Sequence, residues 1–329
     1  MLTWPHRATD WSTMLAEVEA TFRALVAAIA THERVLIVCH SSGVQARVRE
    51  QLQAAGVAET AVRLVQAPCD DVWARDHGPI TVEAGGQPIL LDFRFNGWGG
   101  RYPAAADDAI NRRLHAQGVF GEAPMEELPL VLEGGAIDSD GAGTLLTTSR
   151  CLLSPRRNPG YSRKQLEQAL HTHLGAERSL WLEHGLLAGD DTDGHVDTLA
   201  RFCGSDTIVY SSCDDPQDEH HAELQALAYE LEGLTDPGGH PYRLVPLPLP
   251  SAQYDGLGQR LPANYVNFLA INGAVLVPAY DDPTDALAQQ RLATLFPQRQ
   301  VVPIDCRPLI QQYGSLHCVT MQLPASVPV

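Results

Sequence analysis

Short runs of apolar, often β-branched residues alternate along the chain with stretches whose apolar positions recur every three or four residues. The first pattern reads as strand and the second as amphipathic helix. They follow each other in a fixed order: two strands, a turn rich in Asp, Pro or Asn, a helix, and a third strand. A recurrence of this kind outweighs any local assignment. The clearest unit predicts strands at Tyr265–Ala270 and Ala274–Pro278, a turn at Asp281-Asp282-Pro283, a helix over Asp285–Leu295 and a strand at Gln300–Ile304. A second unit has strands Thr198–Phe202 and Thr207–Ser211, the turn Asp214-Asp215-Pro216, a helix to about Glu232, and a strand at Tyr242–Leu247. In both, Asp-Asp-Pro reads as an N-cap followed by proline in the first helical turn.

A third unit runs from Thr144–Ser149 and Cys151–Leu153 through a proline-rich turn to a helix at Ser162–Leu174 and a strand at Ser179–Leu182. A fourth uses Ile80–Glu83, Ile89–Phe93, a helix over Ala105–Gln117 and Leu128–Leu132. The N-terminal helix, Trp11–Thr31, with strand Arg34–Cys39 makes a fifth, its first strands completed from elsewhere, with C-terminal Val319–Leu323 the expected source. A linear solenoid needs near-identical repeats and capping ends. These copies diverge and the terminal pieces look complementary, so a closed ring of five α/β units is expected. No Gly- or Ser-rich linker divides the chain, which makes residues 1–329 one domain around one central cavity.

Composition narrows the partners. With 23 Lys and Arg against 40 Asp and Glu, the formal net charge is −17. That charge repels nucleic-acid phosphates and anionic membrane surfaces, and it suits a small cation, although acidic surfaces also serve solubility alone. The seven cysteines show no CxxC or regular spacing, which argues against a disulfide framework or a zinc knuckle. No stretch approaches the roughly 20 apolar residues that span a bilayer, and no basic segment leads into an apolar run at the N-terminus. A cytoplasmic protein with reduced thiols is expected.

Three segments carry candidate chemistry. Asp190-Asp191-Thr192-Asp193-Gly194-His195-Val196-Asp197 runs into a predicted strand, whose period of two puts His195 and Asp197 on one face. A histidine beside acids is often only a satisfied hydrogen bond. His-X-Asp could also begin a metal site, but no second histidine or cysteine stands at ligand spacing. Asp70-Asp71-Val72-Trp73-Ala74-Arg75-Asp76-His77-Gly78-Pro79 packs three carboxylates and a tryptophan into one turn, a natural receptor for a planar cation, or else an acidic loop with a surface ion pair. Tyr313-Gly314-Ser315-Leu316-His317-Cys318-Val319-Thr320 places Cys318 at the start of an expected strand. In an extended chain His317 points away from it, so a distant histidine such as His195 is the better partner. Phe93-Arg94-Phe95-Asn96-Gly97-Trp98-Gly99-Gly100 and Leu132-Glu133-Gly134-Gly135 are glycine-rich strand exits that match no phosphate loop.

Taken together these segments, with Arg157-Asn158-Pro159 and Tyr265-Val266-Asn267-Phe268, resemble the agmatine deiminase and Porphyromonas-type peptidyl-arginine deiminase family of the guanidine-modifying (pentein) superfamily. The resemblance spans nearly the whole chain. It implies an α/β fold, a five-bladed pseudo-fivefold propeller of ββαβ units. It also implies Cys318 as nucleophile, His195 as acid and base, Asp76 and Asp197 as clamps on the guanidinium, and Trp73 as the wall beside it. No metal and no organic cofactor is implied; the partner is a small cationic guanidine, and a homodimer is the assembly it admits.

Agmatine is the expected substrate. Its distal amine needs acids, for which Glu133, Asp190 and Asp191 are available, and Asp71 is a further substrate-binding candidate. Free or peptidyl arginine instead needs a cation, for which Arg94 or Arg101 would serve. Amidino transfer has no acceptor signature here. Non-catalytic propellers that bind ribosomes share the fold but would not need Asp76, His195, Asp197 and Cys318 together. The family's Gly-Gly-Asn-Ile-His-Cys pattern appears as Tyr313-Gly314-Ser315-Leu316-His317-Cys318, the segment after Trp98-Gly99-Gly100 is short, and Trp4-Pro5 stands almost at the start of the chain.

Overall fold

Apolar runs such as Ala274-Val275-Leu276-Val277 lie fully buried, and β-branched residues on such pleated, two-sided surfaces favour strand. The computed structural model describes residues 1–329. Fifteen strands form five three-stranded sheets, each taken from one continuous stretch of chain. The first sheet holds β1 (Leu2–Thr3), β2 (Val35–Cys39) and β3 (Val62–Gln66), with α1 (Leu15–Ala30) and α2 (Ser42–Ala54) in its connections. Next come β4 (Ile80–Ala84), β5 (Gln87–Arg94), α3 (Ile110–Ala116) and β6 (Met125–Val131). The third unit is β7 (Ile137–Ser139), β8 (Thr144–Thr148), α4 (Arg163–Leu174) and β9 (Arg178–Leu182). The fourth is β10 (Ala200–Phe202), β11 (Thr207–Ser212), α5 (His221–Glu232) and β12 (Arg243–Pro248), and the fifth β13 (Leu269–Ile271), β14 (Ala274–Ala279), α6 (Asp285–Leu295) and β15 (Gln300–Asp305).

From the second unit to the fifth, a tight turn joins an antiparallel first pair and a helix crosses over to a parallel third strand. This is the ββαβ unit of the five-bladed α/β propeller. The first sheet departs from it: β1 pairs with β2 in parallel, because the whole of α1 lies between them. The expected C-terminal strand Val319–Leu323 does not form. Leu2–Thr3 takes its place, and Met1 and Met321 exchange backbone bonds of 2.7 and 3.0 Å beside it.

Two further expectations are corrected. Cys151–Leu153 is not a strand, since the Thr148 hydroxyl accepts the Cys151 N–H at 3.3 Å and turns Ser149–Leu152 into a helical turn. The first strand of that unit is Ile137–Ser139 instead. The Asp-Asp-Pro segments do not cap helices either. Asp215 and Asp282 accept N–H bonds from Gln217 and Thr284, each two residues on, making Asx turns that delay the helices to His221 and Asp285.

Helix α1 joins the ends of the ring. Val18, Phe22, Leu25, Val26 and Ile29 recur at helical spacing and are buried against β2, α2 and β15, so one helix packs on the first and the last sheets. No helix is long and apolar enough to cross a membrane. Phe22 is fully buried, and Phe22→Ala is expected to cost about 3–5 kcal/mol through lost burial and the cavity left behind. Urea unfolding measures this; a loss below about 1 kcal/mol would mean that α1 does not hold the ring closed.

Candidate active site

The segments that enter the successive first strands converge at the ring centre. Asp76 precedes β4 on the helical turn Ala74–His77, with Trp73 at the N-cap of that turn; Gly135 precedes β7, His195 and Asp197 precede β10, and Asn267 precedes β13. Cys318 arrives after β15 in a turn segment and not in the expected strand. They converge on a cavity open to solvent. Its lining includes Cys318, His195, Asp76, Asp197, Trp73, Asp71 and Asp191. Asp10, Asp190, Trp98, Tyr102, Gln312 and Tyr313 line it as well, and no Lys or Arg does.

Asp76 is gripped at both oxygens. Gly135 N–H donates to Oδ1 at 3.1 Å, and the Trp98 indole donates to Oδ2 at 2.9 Å. A Cβ on Gly135 would stand 2.5 Å from His195 Nδ1 and 2.9 Å from Asp76 Oδ1, so the absent side chain is what lets these groups meet. Gly314 serves Trp73 in the same way, because a Cβ there would lie 2.0 Å from the indole ring. Trp73 Nε1 donates to Asp71 at 2.9 Å, and Trp11 Nε1 donates to the other Asp71 oxygen at 2.8 Å.

His195 is buried with no hydrogen-bond partner on either ring nitrogen. Asp76 Oδ1 stands 3.7 Å from Nδ1, beyond hydrogen-bond reach. Burial, with a smaller push from Arg157, keeps the imidazole pKa well below its ordinary value, so the ring is neutral and holds a free lone pair. Cys318 is buried too, and burial together with the Asp197 and Asp76 carboxylates pushes its thiol well up. Its Sγ lies 3.4 Å from Asn267 Oδ1 and 4.0 Å from Asp197 Oδ2. Cys318 therefore rests as a thiol, and a cation placed between it and the carboxylates would favour the thiolate. Burial likewise pushes Asp197 up to about 7, against the pull of Arg201 and Arg75.

His195 and Asp197 do meet at one cavity, but through a 3-10 turn at Val196–Thr198 and not through strand alternation. Glu133 and Arg94 do not line it. Glu133 is fully buried, with Arg157 Nε donating to both its oxygens at 2.8 and 3.0 Å. Arg94 is turned outward and bonded to Asp108 at 3.0 Å. His317 does not line the cavity; the chain there turns where an extended strand was expected, and its Nδ1 donates to Asp197 Oδ2 at 2.7 Å. Sequence reasoning also passed over Trp98, Tyr102, Tyr313 and Asn267. The left-handed backbone at Trp98 (φ 53°) and Tyr313 (φ 67°) is a mark of a constrained site that only coordinates reveal.

Two clusters hold metal-ligating atoms within 4.8 Å of one another: His6, His40 and Cys69, and Glu133, Cys151 and His195. In the first, the ring nitrogens already face the Cys69 backbone, with His6 Nε2 at 3.3 Å and His40 Nδ1 at 3.1 Å from its carbonyl oxygen. In the second, the carboxylate is spent on the Arg157 guanidinium, a cation that would repel another.

Known proteins resemble this chain along its whole length. The family model of Porphyromonas-type peptidyl-arginine deiminases matches residues 1–324. Agmatine deiminase of Ectopseudomonas mendocina is 34% identical over 347 residues, covering 98% of this chain and 92% of its own. A C. jejuni agmatine deiminase with a cysteine-to-serine substitution and substrate bound superposes with a TM-score of 0.89 at 34% identity, covering 97% of this chain and 91% of its own. A Porphyromonas gingivalis protein, whose name gives arginine deiminase as a provisional assignment, is 51% identical with a TM-score of 0.91, covering 99% and 95%. Since both the family match and the likeness in sequence and structure run the length of the chain, it is an enzyme of the Porphyromonas-type peptidyl-arginine deiminase family, a C–N hydrolase.

Proposed function

We propose that the chain is an agmatine deiminase, hydrolysing agmatine to N-carbamoylputrescine and ammonia, a step toward putrescine, through a covalent intermediate on Cys318. The observation that carries the substrate choice is the charge of the cavity. Asp10, Asp71, Asp76, Asp190, Asp191 and Asp197 line it with no cationic side chain among them. A guanidinium with a second cationic end finds acids for both. The carboxylate of free arginine would meet only like charge and pay for its lost hydration. The two arginines that could have received it are committed elsewhere, Arg94 to Asp108 and Arg101 to Asp193 and the Asp191 carbonyl. The likeness to the P. gingivalis protein keeps arginine as the compound to compare.

The guanidinium carbon is a poor electrophile because resonance spreads its charge, so catalysis rests on holding the plane and presenting a thiolate. Asp76 and Asp197 would grip the guanidinium nitrogens by charge-assisted hydrogen bonds, with Trp73 alongside. The bound cation offsets the carboxylates that raise the thiol, and the Cys318 proton passes to neutral His195. The thiolate attacks the central carbon and forms a tetrahedral adduct. His195 returns the proton to the departing nitrogen, the C–N bond breaks, and ammonia leaves an S-alkylthiouronium on Cys318. Neutral His195 then takes a proton from water as the oxygen attacks, and collapse of the second adduct releases the ureido product and restores the thiol.

Ammonia release from agmatine, free arginine and an arginine-containing peptide tests the reading. Agmatine is expected to be turned over best, with the activity abolished by Cys318→Ala. Preferred turnover of arginine or peptide would overturn the substrate, and activity surviving Cys318→Ala would overturn the covalent route. The acid limb is a second test. Carboxylates must be ionised to hold the cation, so kcat/KM is expected to fall as pH drops through about 7, where Asp197 takes up its proton, and further through about 6, where Asp71 and Asp191 do. Bound substrate favours the ionised form, which moves the acid limb of kcat to lower pH than that of kcat/KM. A kcat/KM that is flat across this range would contradict the clamp.

A further inference from the structure

We propose that His317 is a positioning residue for the guanidinium clamp: from behind the cavity it holds one oxygen of Asp197, leaving the other to face the substrate. The inference rests on the cavity being a guanidinium site, as proposed above, and adds a residue that does not line it. The two clamps are held differently. Asp76 has a backbone N–H on one oxygen and an indole N–H on the other. Asp197 Oδ2 takes the His317 Nδ1–H bond at 2.7 Å, with the Cys318 thiol further off at 4.0 Å. Its Oδ1 is buried and has no protein partner. A carboxylate with one oxygen anchored and the other orphaned is aimed, and without the anchor it is free to rotate about its own bond.

The backbone that carries the imidazole is itself fixed. The His317 backbone N–H donates to Asn267 Oδ1 at 2.8 Å and to the Asn267 carbonyl at 3.1 Å, while Asn267 Nδ2 donates to the Asp197 carbonyl at 3.3 Å. The nucleophile segment and the clamp segment are thus tied to one asparagine as well as to each other. Because the ring faces a carboxylate, its Nδ1 carries the proton; burial, with Arg201 and Arg75 nearby, keeps the ring from gaining a second. His317 therefore acts as a neutral donor of fixed direction. Since it adjoins Cys318 in the chain, it also couples the place of the thiol to the place of the clamp.

The test uses geometry that a merely space-filling role would ignore. An Asn amide N–H can stand where Nδ1–H stands, whereas a Gln amide reaches toward the Nε2 position. Agmatine binding is measured by calorimetry on a Cys318→Ala chain, which holds substrate without turning it over, and thermal melts check that each variant folds. His317→Asn is expected to bind close to the parent. His317→Ala and His317→Gln are expected to bind about 10- to 100-fold more weakly, the worth of a hydrogen bond to a charged group. Equal weakening in all three, or none in any, would overturn the inference, and the Asn and Gln pair decides it even if the Ala variant does not fold. A parent that binds arginine and not agmatine would strike down the proposed substrate alone, and the same comparison run with arginine would still decide the role of His317.

Discussion

Two carboxylates and a thiol occupy the floor of one cavity with no cation beside them on its surface, and the rest of the molecule is arranged around that imbalance. Buried carboxylates that face each other tend to take up protons, and burial with mutual repulsion does push Asp76 well above the ordinary carboxylate range. The compensating charge is kept outside the cavity wall. Arg75 and Arg201 stand near Asp197, Arg201 bonded to Asp138, and Arg157 is shared between Glu133 and Asp193 behind His195. All three guanidinium side chains are buried, and losing Arg157 would leave the fully buried Glu133 carboxylate without water or ion-pair partner. Field is thereby supplied while the cavity lining stays free of cationic side chains, which suits the proposed cationic substrate.

The ring makes this possible by bringing the same kind of connection, the segment entering a first strand, to one point from several units. Such segments are constrained where they meet. Of the four non-glycine residues with left-handed backbone, Trp98 and Tyr313 line the cavity, and Asp193 bonds Arg157 at its edge. Backbone strain of this kind persists where the surroundings over-determine a conformation.

Much of this was legible from the sequence, for identifiable reasons. Strand Ala274–Ala279 and helix Asp285–Leu295 announced themselves because a continuous apolar run and a helical period respond directly to burial. Cys318, His195, Asp76 and Asp197 stood out because carboxylates, a thiol and an imidazole cluster beside turn residues. What failed were inferences that needed partners remote in sequence. Glu133 looked like an available acid until Arg157, 24 residues on, took both its oxygens. The bond from His317 to Asp197 depends on a turn where an extended backbone was expected, and the apolar pattern does not encode that turn. The Leu2–Thr3 strand was too short to show a period, and Ser149–Leu152 turned on one hydroxyl bond that the apolar pattern does not encode.

The central claim is that the cavity lets Cys318 displace ammonia from a clamped guanidinium. The most direct measurement is mass spectrometry of enzyme quenched in acid during turnover of agmatine, followed by digestion and sequencing of the modified peptide. The expected result is an adduct on Cys318 equal to agmatine less ammonia. Sustained ammonia release with an unmodified Cys318 peptide at every quench time would contradict it.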